Sequence, residues 1–209
     1  MGGSGTNMNK MQEHVLKQLS VIASQGFTNA ARGFSGMFGQ ELTVVSPYVS
    51  AVPTREVSNL LGGPENDAVG IYLRFEGDLS GQMMLIVPYS EALLMADMLL
   101  EIPIGTSQRL GKMERSALAE VGNLTGSFFL NAIAELTGSS ARPSPPAVMV
   151  DMVGAILDVI FATMVDVGEE VLMFQSALSF GDRKTDANFW VIPDSMTLEK
   201  LINLGGNNG

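Results

Sequence analysis

Along this chain, stretches with apolar residues every three or four positions alternate with stretches whose apolar residues are consecutive or alternate, and the same order of stretches occurs twice. In the first half, a helical period runs from about Met8 to Gly39. An extended run follows, Leu42 to Val52, closed by Pro53, and then a short helical stretch, Thr54 to Leu61. Two further extended runs, Ala68 to Phe75 and Gly81 to Val87, flank the hairpin-type turn Glu76-Gly77-Asp78, and an amphipathic helix from Ser90 to Leu100 closes the half. The second half predicts a long helix from Leu110 to Thr137, stopped at Gly138. After it come a strand over Ala147 to Val153, a helix over Ala155 to Val165, strands over Glu170 to Phe180 and Ala187 to Ile192, and a last helix over Asp194 to Leu204. The strand-to-helix junctions match as well: Leu85-Ile86-Val87-Pro88 leads to Ser90, and Trp190-Val191-Ile192-Pro193 leads to Ser195. Proline tolerates a helix start, and a serine or aspartate there can cap its free amides.

This pattern predicts an α/β (α+β) fold with pseudo-two-fold symmetry. Two αβ(α)ββα halves share one mainly antiparallel sheet covered by helices. Only Glu101 to Gly111, punctuated by Pro103 and Gly105, separates the halves, so one domain over residues 8–204 is expected, with halves 8–105 and 106–204. Met1 to Asn7 reads as a flexible Gly/Ser-rich leader and residues 205–209 as a flexible tail.

On a helical wheel for residues 116–136, Ala117, Leu118, Val121, Leu124, Phe128, Phe129, Ala132 and Leu136 form an apolar arc. Ser116, Glu120, Asn123, Ser127 and Asn131 follow at spacings of four, three, four and four and form a polar stripe. Beside it lie the small residues Ala119, Gly122 and Gly126. Each helical glycine costs about 1 kcal/mol relative to alanine. Two of them beside a polar stripe mark a close approach, either by a partner or by a neighbouring helix of the same chain. A polar stripe alone is what any solvated helix face presents. Glu120 and Asn123, at i and i+3, reach one point in space. A carboxamide has no useful basicity, but it both donates to and accepts from water. That suits an electrophile already activated, such as an acyl phosphate, which needs a water held in line rather than a strong base.

Composition removes other chemistries. The chain is 46% hydrophobic and 16% charged, a globular balance. A net charge of -10 with 12 scattered Lys and Arg argues against nucleic acid. There is no cysteine, which excludes thiol catalysis and thiolate metal sites and fits a cytoplasmic location. The one histidine, His14, reads as a surface residue, so no Ser-His-Asp triad or histidine metal site can be assembled. Apolar runs near Val148 to Met164 are broken by Asp151, Gly154 and Asp158, and no membrane insertion is expected. Gly62-Gly63-Pro64 is a turn rather than a phosphate loop, and Asp78, Asp182 and Asp186 read as solvated turn residues.

The run Ser116-Ala-Leu-Ala-Glu120-Val-Gly-Asn123, with Pro146 placed 23 residues after the asparagine, resembles the signature of the CheC/CheX/FliY family of chemotaxis response-regulator phosphatases. That signature is Asp or Ser, three residues, Glu, two residues, Asn, then 22 residues and Pro. The family is also built from two such halves, with two long helices bearing the site positions. In the first half, the corresponding positions hold Lys17, Val21 and Ser24, with Pro47 in frame, so this copy is degenerate and expected to be inactive. The resemblance implies a hydrolase acting on the aspartyl phosphate of a CheY-like response regulator, with Glu120 and Asn123 catalytic. Glu120 would pair with the regulator's lysine and Asn123 would hold the attacking water. It further implies Ser116, Gly122, Gly126 and Ser127 as partner contacts and no cofactor bound by this chain, the Mg²⁺ being supplied by the regulator. Pro146 would end the loop after the helix and fix a strand start. The CheD deamidase, bound by some relatives, is a second candidate partner. The competing readings are a non-catalytic module that docks a regulator or controls CheD, and a structural protein whose polar stripe packs internally.

Overall fold

The computed structural model describes residues 17, 19–29, 31–33, 35, 42–163, 170–180 and 183–206. His14, Asp182 and both ends of the first long helix lie outside them, as does the Asp186 side chain. Helix α1 comprises helical residues 17, 19–29, 31–33 and 35. It is followed by β1 (Leu42–Pro53), two 3-10 turns (Thr54–Glu56, Asn59–Leu61), β2 (Asp67–Gly77), β3 (Gly81–Pro88) and α2 (Tyr89–Leu99). The chain continues with α3 (Lys112–Thr137), β4 (Ala141–Pro143), β5 (Ala147–Met152), α4 (Val153–Ala162), β6 (Glu170–Phe180), β7 (Arg183–Pro193) and α5 (Ser195–Gly206).

All pairings are antiparallel and run in the order β1-β6-β7-β3-β2-β4, with β5 also on β2. The two hairpins, β2–β3 and β6–β7, meet at the centre through β3 and β7, where Leu85 faces Phe189 and Met83 faces Val191. Each outer strand crosses over: β1 pairs with the second hairpin and β5 with the first. A cut at residue 105 would therefore leave each hairpin without its outer neighbour, which is why 8–105 and 106–204 share one core. Pro47 lies in β1 beside the register shift between Val45 and Tyr48, the bulged, edge-strand setting a proline requires.

Alternation along the strands divides the core in two. Val69, Ile71, Leu73, Met83, Leu85, Phe189 and Val191 face the long helices together with Leu19, Phe27, Leu118, Val121 and Phe129. Ala68, Met84, Ile86, Met173 and Trp190 face the other way, onto Ile156, Leu157 and Ile160 of α4. Among the described residues no helix is long and apolar enough to cross a membrane.

The short helical stretch from Thr54 to Leu61 takes the form of two 3-10 helices, Thr54–Glu56 and Asn59–Leu61, rather than one continuous helix. Eight residues are too few to offset helix nucleation. Only Val57 is buried there, and Gly62 ends the segment at φ 88°. At the two strand-to-helix junctions the capping differs. The Asp194 carboxylate accepts from the Thr197 amide at 2.8 Å, capping α5, whereas α2 begins after Pro88 with no side-chain cap.

Candidate functional site

Helix α3 is fixed at both ends before any of its side chains matters for function. At its C-terminus Gly138 adopts φ 66°, which only glycine takes at little cost, and its amide donates to the Ala134 carbonyl at 2.8 Å. The loop leading into its N-terminus is held by Asp97, a fully buried residue of α2. Its carboxylate accepts from the amides of Gly105 (2.6 Å), Thr106 (3.0 Å) and Ser107 (3.0 Å). Hydrogen bonding from Ser107, joined by the Gly105 and Thr106 amides, holds the Asp97 carboxyl below the usual range against the opposing effect of burial. Sequence reasoning missed this residue. The available signal was an aspartate on the apolar side of an amphipathic helix, eight residues before a glycine turn.

The inner face of α3 is made of Leu118, Val121, Gly122, Thr125, Gly126, Phe129, Leu130, Ala132 and Ile133. Phe129 stacks in a three-ring cluster with Phe27 of α1 (5.2 Å between centroids) and Phe189 of β7 (5.7 Å), and Phe27 meets Phe189 at 5.4 Å. Contacts pair Gly26 with Phe129 and Ile133, and Gly33 with Phe128, so α1 and α3 lie side by side. The apolar arc is therefore rotated from the expected one. Leu124 and Phe128 are half-buried, Phe128 against Gly33, and Leu136 is 43% exposed.

The assignment of Gly122 and Gly126 as partner contacts is corrected by the packing. Both are buried. A Cβ on Gly122 would fall 2.3 Å from Ile71 Cγ2, and one on Gly126 would fall 3.0 Å from Met83 Cε. The close approach they permit is that of the sheet, not of a partner or of a neighbouring helix. The wheel placed them beside the polar stripe correctly, but could not say which flank faces β2 and β3.

The stripe itself points away from the sheet. Ser116, Glu120 and Asn131 are exposed, while Asn123 and Ser127 are half-buried. Among the described residues none of the five side chains has a hydrogen-bond or ion-pair partner. One carboxylate and one carboxamide, a helical turn apart, thus stand accessible and unengaged on a helix clamped from behind. In α1, Lys17 and Val21 are exposed, Val21 by 56%, and Ser24 is half-buried. The first-half positions therefore also face outward, but carry no carboxylate or carboxamide. Pro146 is half-buried immediately before β5, where the preceding Ser144 hydroxyl accepts from the Arg74 amide of β2 at 3.0 Å. Among the described residues no group of three or more His, Cys, Asp or Glu side chains is placed to hold a metal ion.

The family model of the CheC-like family matches residues 113–150, from the first turn of α3 to β5. The chain is 27% identical over 198 residues to the CheY-P phosphatase CheC of Bacillus subtilis, covering 93% of this chain and 95% of that protein. It is 22% identical over 143 residues to the flagellar motor switch phosphatase FliY of the same organism, covering 68% of this chain and 36% of that protein. The crystal structure of Thermotoga maritima FliY shares the fold at 16% identity with a TM-score of 0.72, over 93% of this chain and 97% of that one.

Proposed function

The chain belongs to the CheC/CheX/FliY family, and we propose that its own activity is hydrolysis of the aspartyl phosphate of a CheY-like response regulator at the outer face of α3. The observation that carries this reading is the Glu120/Asn123 pair, accessible and unengaged on a helix whose opposite face is locked to the sheet. A surface meant to enter another protein's active site must present its groups without internal partners, and it must not pay to reorder itself on docking.

In the proposed reaction the regulator docks its phosphorylated face along the stripe. Glu120 pairs with the regulator's active-site lysine, which sets orientation. The Asn123 carboxamide accepts from and donates to one water, holding it in line with the phosphorus. That water's oxygen forms the new P–O bond, the aspartate carboxylate leaves, and inorganic phosphate departs. Between Ser116 and Asn131 the stripe carries one carboxylate, Glu120, fewer than a Mg²⁺ site needs, and the divalent ion is assigned to the regulator. Ser116 and Ser127 flank the pair as contacts. The first-half positions, Lys17, Val21 and Ser24, supply neither carboxylate nor carboxamide and are assigned no turnover. The regulator is a cytoplasmic signalling protein, and the proposed site of action is the cytoplasm.

The test is decay of a phosphorylated CheY-like regulator with and without this protein and its Glu120→Gln variant. Acceleration by the wild type, with a raised KM in Glu120→Gln, supports the reading. Tight binding with no acceleration would leave a docking module in place of an enzyme.

A further inference from the structure

The polar stripe does not end at Asn131. Four residues on, Glu135 extends it into an open groove between the two long helices, lined on α1 by Ser24, Gln25, Thr28, Asn29 and Arg32, and on α3 by Glu135 and Leu136. Two features of this groove lack an internal explanation. Leu136 is 43% exposed at its edge. Arg32 is exposed, and among the described residues its guanidinium pairs with nothing, Glu135 across the groove included. In a chain of net charge -10, this places a cation free of ion pairs beside an exposed leucine, a combination suited to an acidic and apolar partner surface.

We propose that this groove is a second contact for the regulator docked at Glu120 and Asn123, in which Arg32 pairs with an acidic side chain of the regulator and Leu136 is covered by an apolar one. The proposal rests on the phosphatase reading and adds to it the determinant of partner choice. Distance supports it. Glu135 lies twelve residues beyond Asn123, about 18 Å along the helix. A standard interface covers about 800 Å² per partner, a patch roughly 30 Å across. A regulator whose footprint is centred near Ser127, about 12 Å from Glu135, therefore covers Asn123 and reaches the groove at its rim. Charges at a rim govern encounter rate and partner discrimination more than chemistry, so Arg32 acts on binding and not on the hydrolytic step. The arrangement also gives the first half a present use. Ser24 stands where the second half has its asparagine, and it lines the docking groove in place of a second catalytic site.

The experiment uses the full chain with Arg32→Glu, Arg32→Lys and Leu136→Ser. Steady-state turnover of the phosphorylated regulator is measured at low and high salt, and binding of the beryllofluoride-activated regulator by calorimetry, with thermal unfolding as a control. Arg32→Glu is expected to raise KM and Kd about fivefold or more at low salt, to leave kcat unchanged and to flatten the salt dependence, while Arg32→Lys keeps most of the affinity. Leu136→Ser is expected to weaken binding at all salt concentrations. Unchanged Kd in both Arg32→Glu and Leu136→Ser, with unfolding temperatures as in wild type, overturns the proposal. So does a change in self-association instead of regulator affinity. A wild-type protein that binds the regulator without hydrolysing it would sink the phosphatase reading, yet leave the binding arm able to judge the groove.

Discussion

Replacing Gly122 and Gly126 separately by alanine tests how α3 is held, because the two substitutions gain the same thing and lose different things. In a helix interior each change is worth about 1 kcal/mol in favour of alanine. At Gly122 the new methyl would lie 2.3 Å from Ile71 Cγ2 and 3.5 Å from Leu73 Cδ1. Ile71 is fully buried in β2, and its γ-branch is fixed at χ1, so it cannot swing aside. Overpacking of this kind costs about 1–3 kcal/mol, and an overlap this deep belongs in the upper part of that range. The net expectation for Gly122→Ala is a loss of about 1–2 kcal/mol, which lowers the unfolding temperature by roughly 2–8 °C in a chain of this size. At Gly126 the nearest atom is the terminal methyl of Met83 at 3.0 Å, the free end of a three-torsion side chain. Gly126→Ala should therefore fall between neutral and about 1 kcal/mol more stable. Urea unfolding of the two variants beside wild type measures the difference. Equal stability, or a Gly122→Ala variant that unfolds like wild type but no longer binds a regulator, would refute the packing assignment and restore these glycines to a partner surface.

Other changes follow from the same geometry. Phe129→Ala removes the ring shared by Phe27 and Phe189 and should cost about 3–5 kcal/mol in denaturant unfolding. Asp97→Asn keeps shape but removes the charge that three amides solvate, so the loop from Glu101 to Gly111 should exchange its amide hydrogens faster. The Asp97 carboxyl is depressed in the folded state, so its contribution is complete above the unfolded value of 3.8 and is lost as pH falls further, through the folded pKa. An acid titration of wild type should thus show a stability loss below that pH that Asp97→Asn lacks. Val21→Glu with Ser24→Asn places a carboxylate and a carboxamide on the outward face of α1. Weak turnover in an Asn123→Ala background is expected, and its absence would mean that the first half cannot be repaired by these two residues alone.

Much of this architecture was legible because the deciding signals are local. The strand from Glu170 to Phe180 and the stop of α3 at Gly138 follow from a β-rich apolar run and from a glycine able to take positive φ. The outward stripe was legible from spacing alone, since residues three and four apart must share a face. What could not be read required knowing a neighbour. Gly122 looks alike whether it faces β2 or a partner, and only the position of Ile71 decides. The exchange of β1 and β5 between the hairpins leaves no local mark, because either pairing satisfies the same alternation. Strand β4 is three residues long, ends in proline and exists because Ala141 finds Gly77 across the sheet. Asp97 stands on the apolar side of α2, but the amides that hold its carboxylate are supplied only when the loop of residues 101–111 folds back over it.

The proposed hydrolysis turns on a single carboxamide, and single-turnover decay of a saturating phosphorylated regulator with Asn123→Ala interrogates it directly. Because this side chain is outward and bonded to nothing in the described chain, its removal should leave unfolding temperature and regulator affinity as in wild type. The protein-stimulated rate should fall by about 100-fold, the scale of losing the alignment of one reacting group. A variant that binds normally and clears the phosphoryl group as fast as wild type would contradict the assignment of the chemistry to this helix.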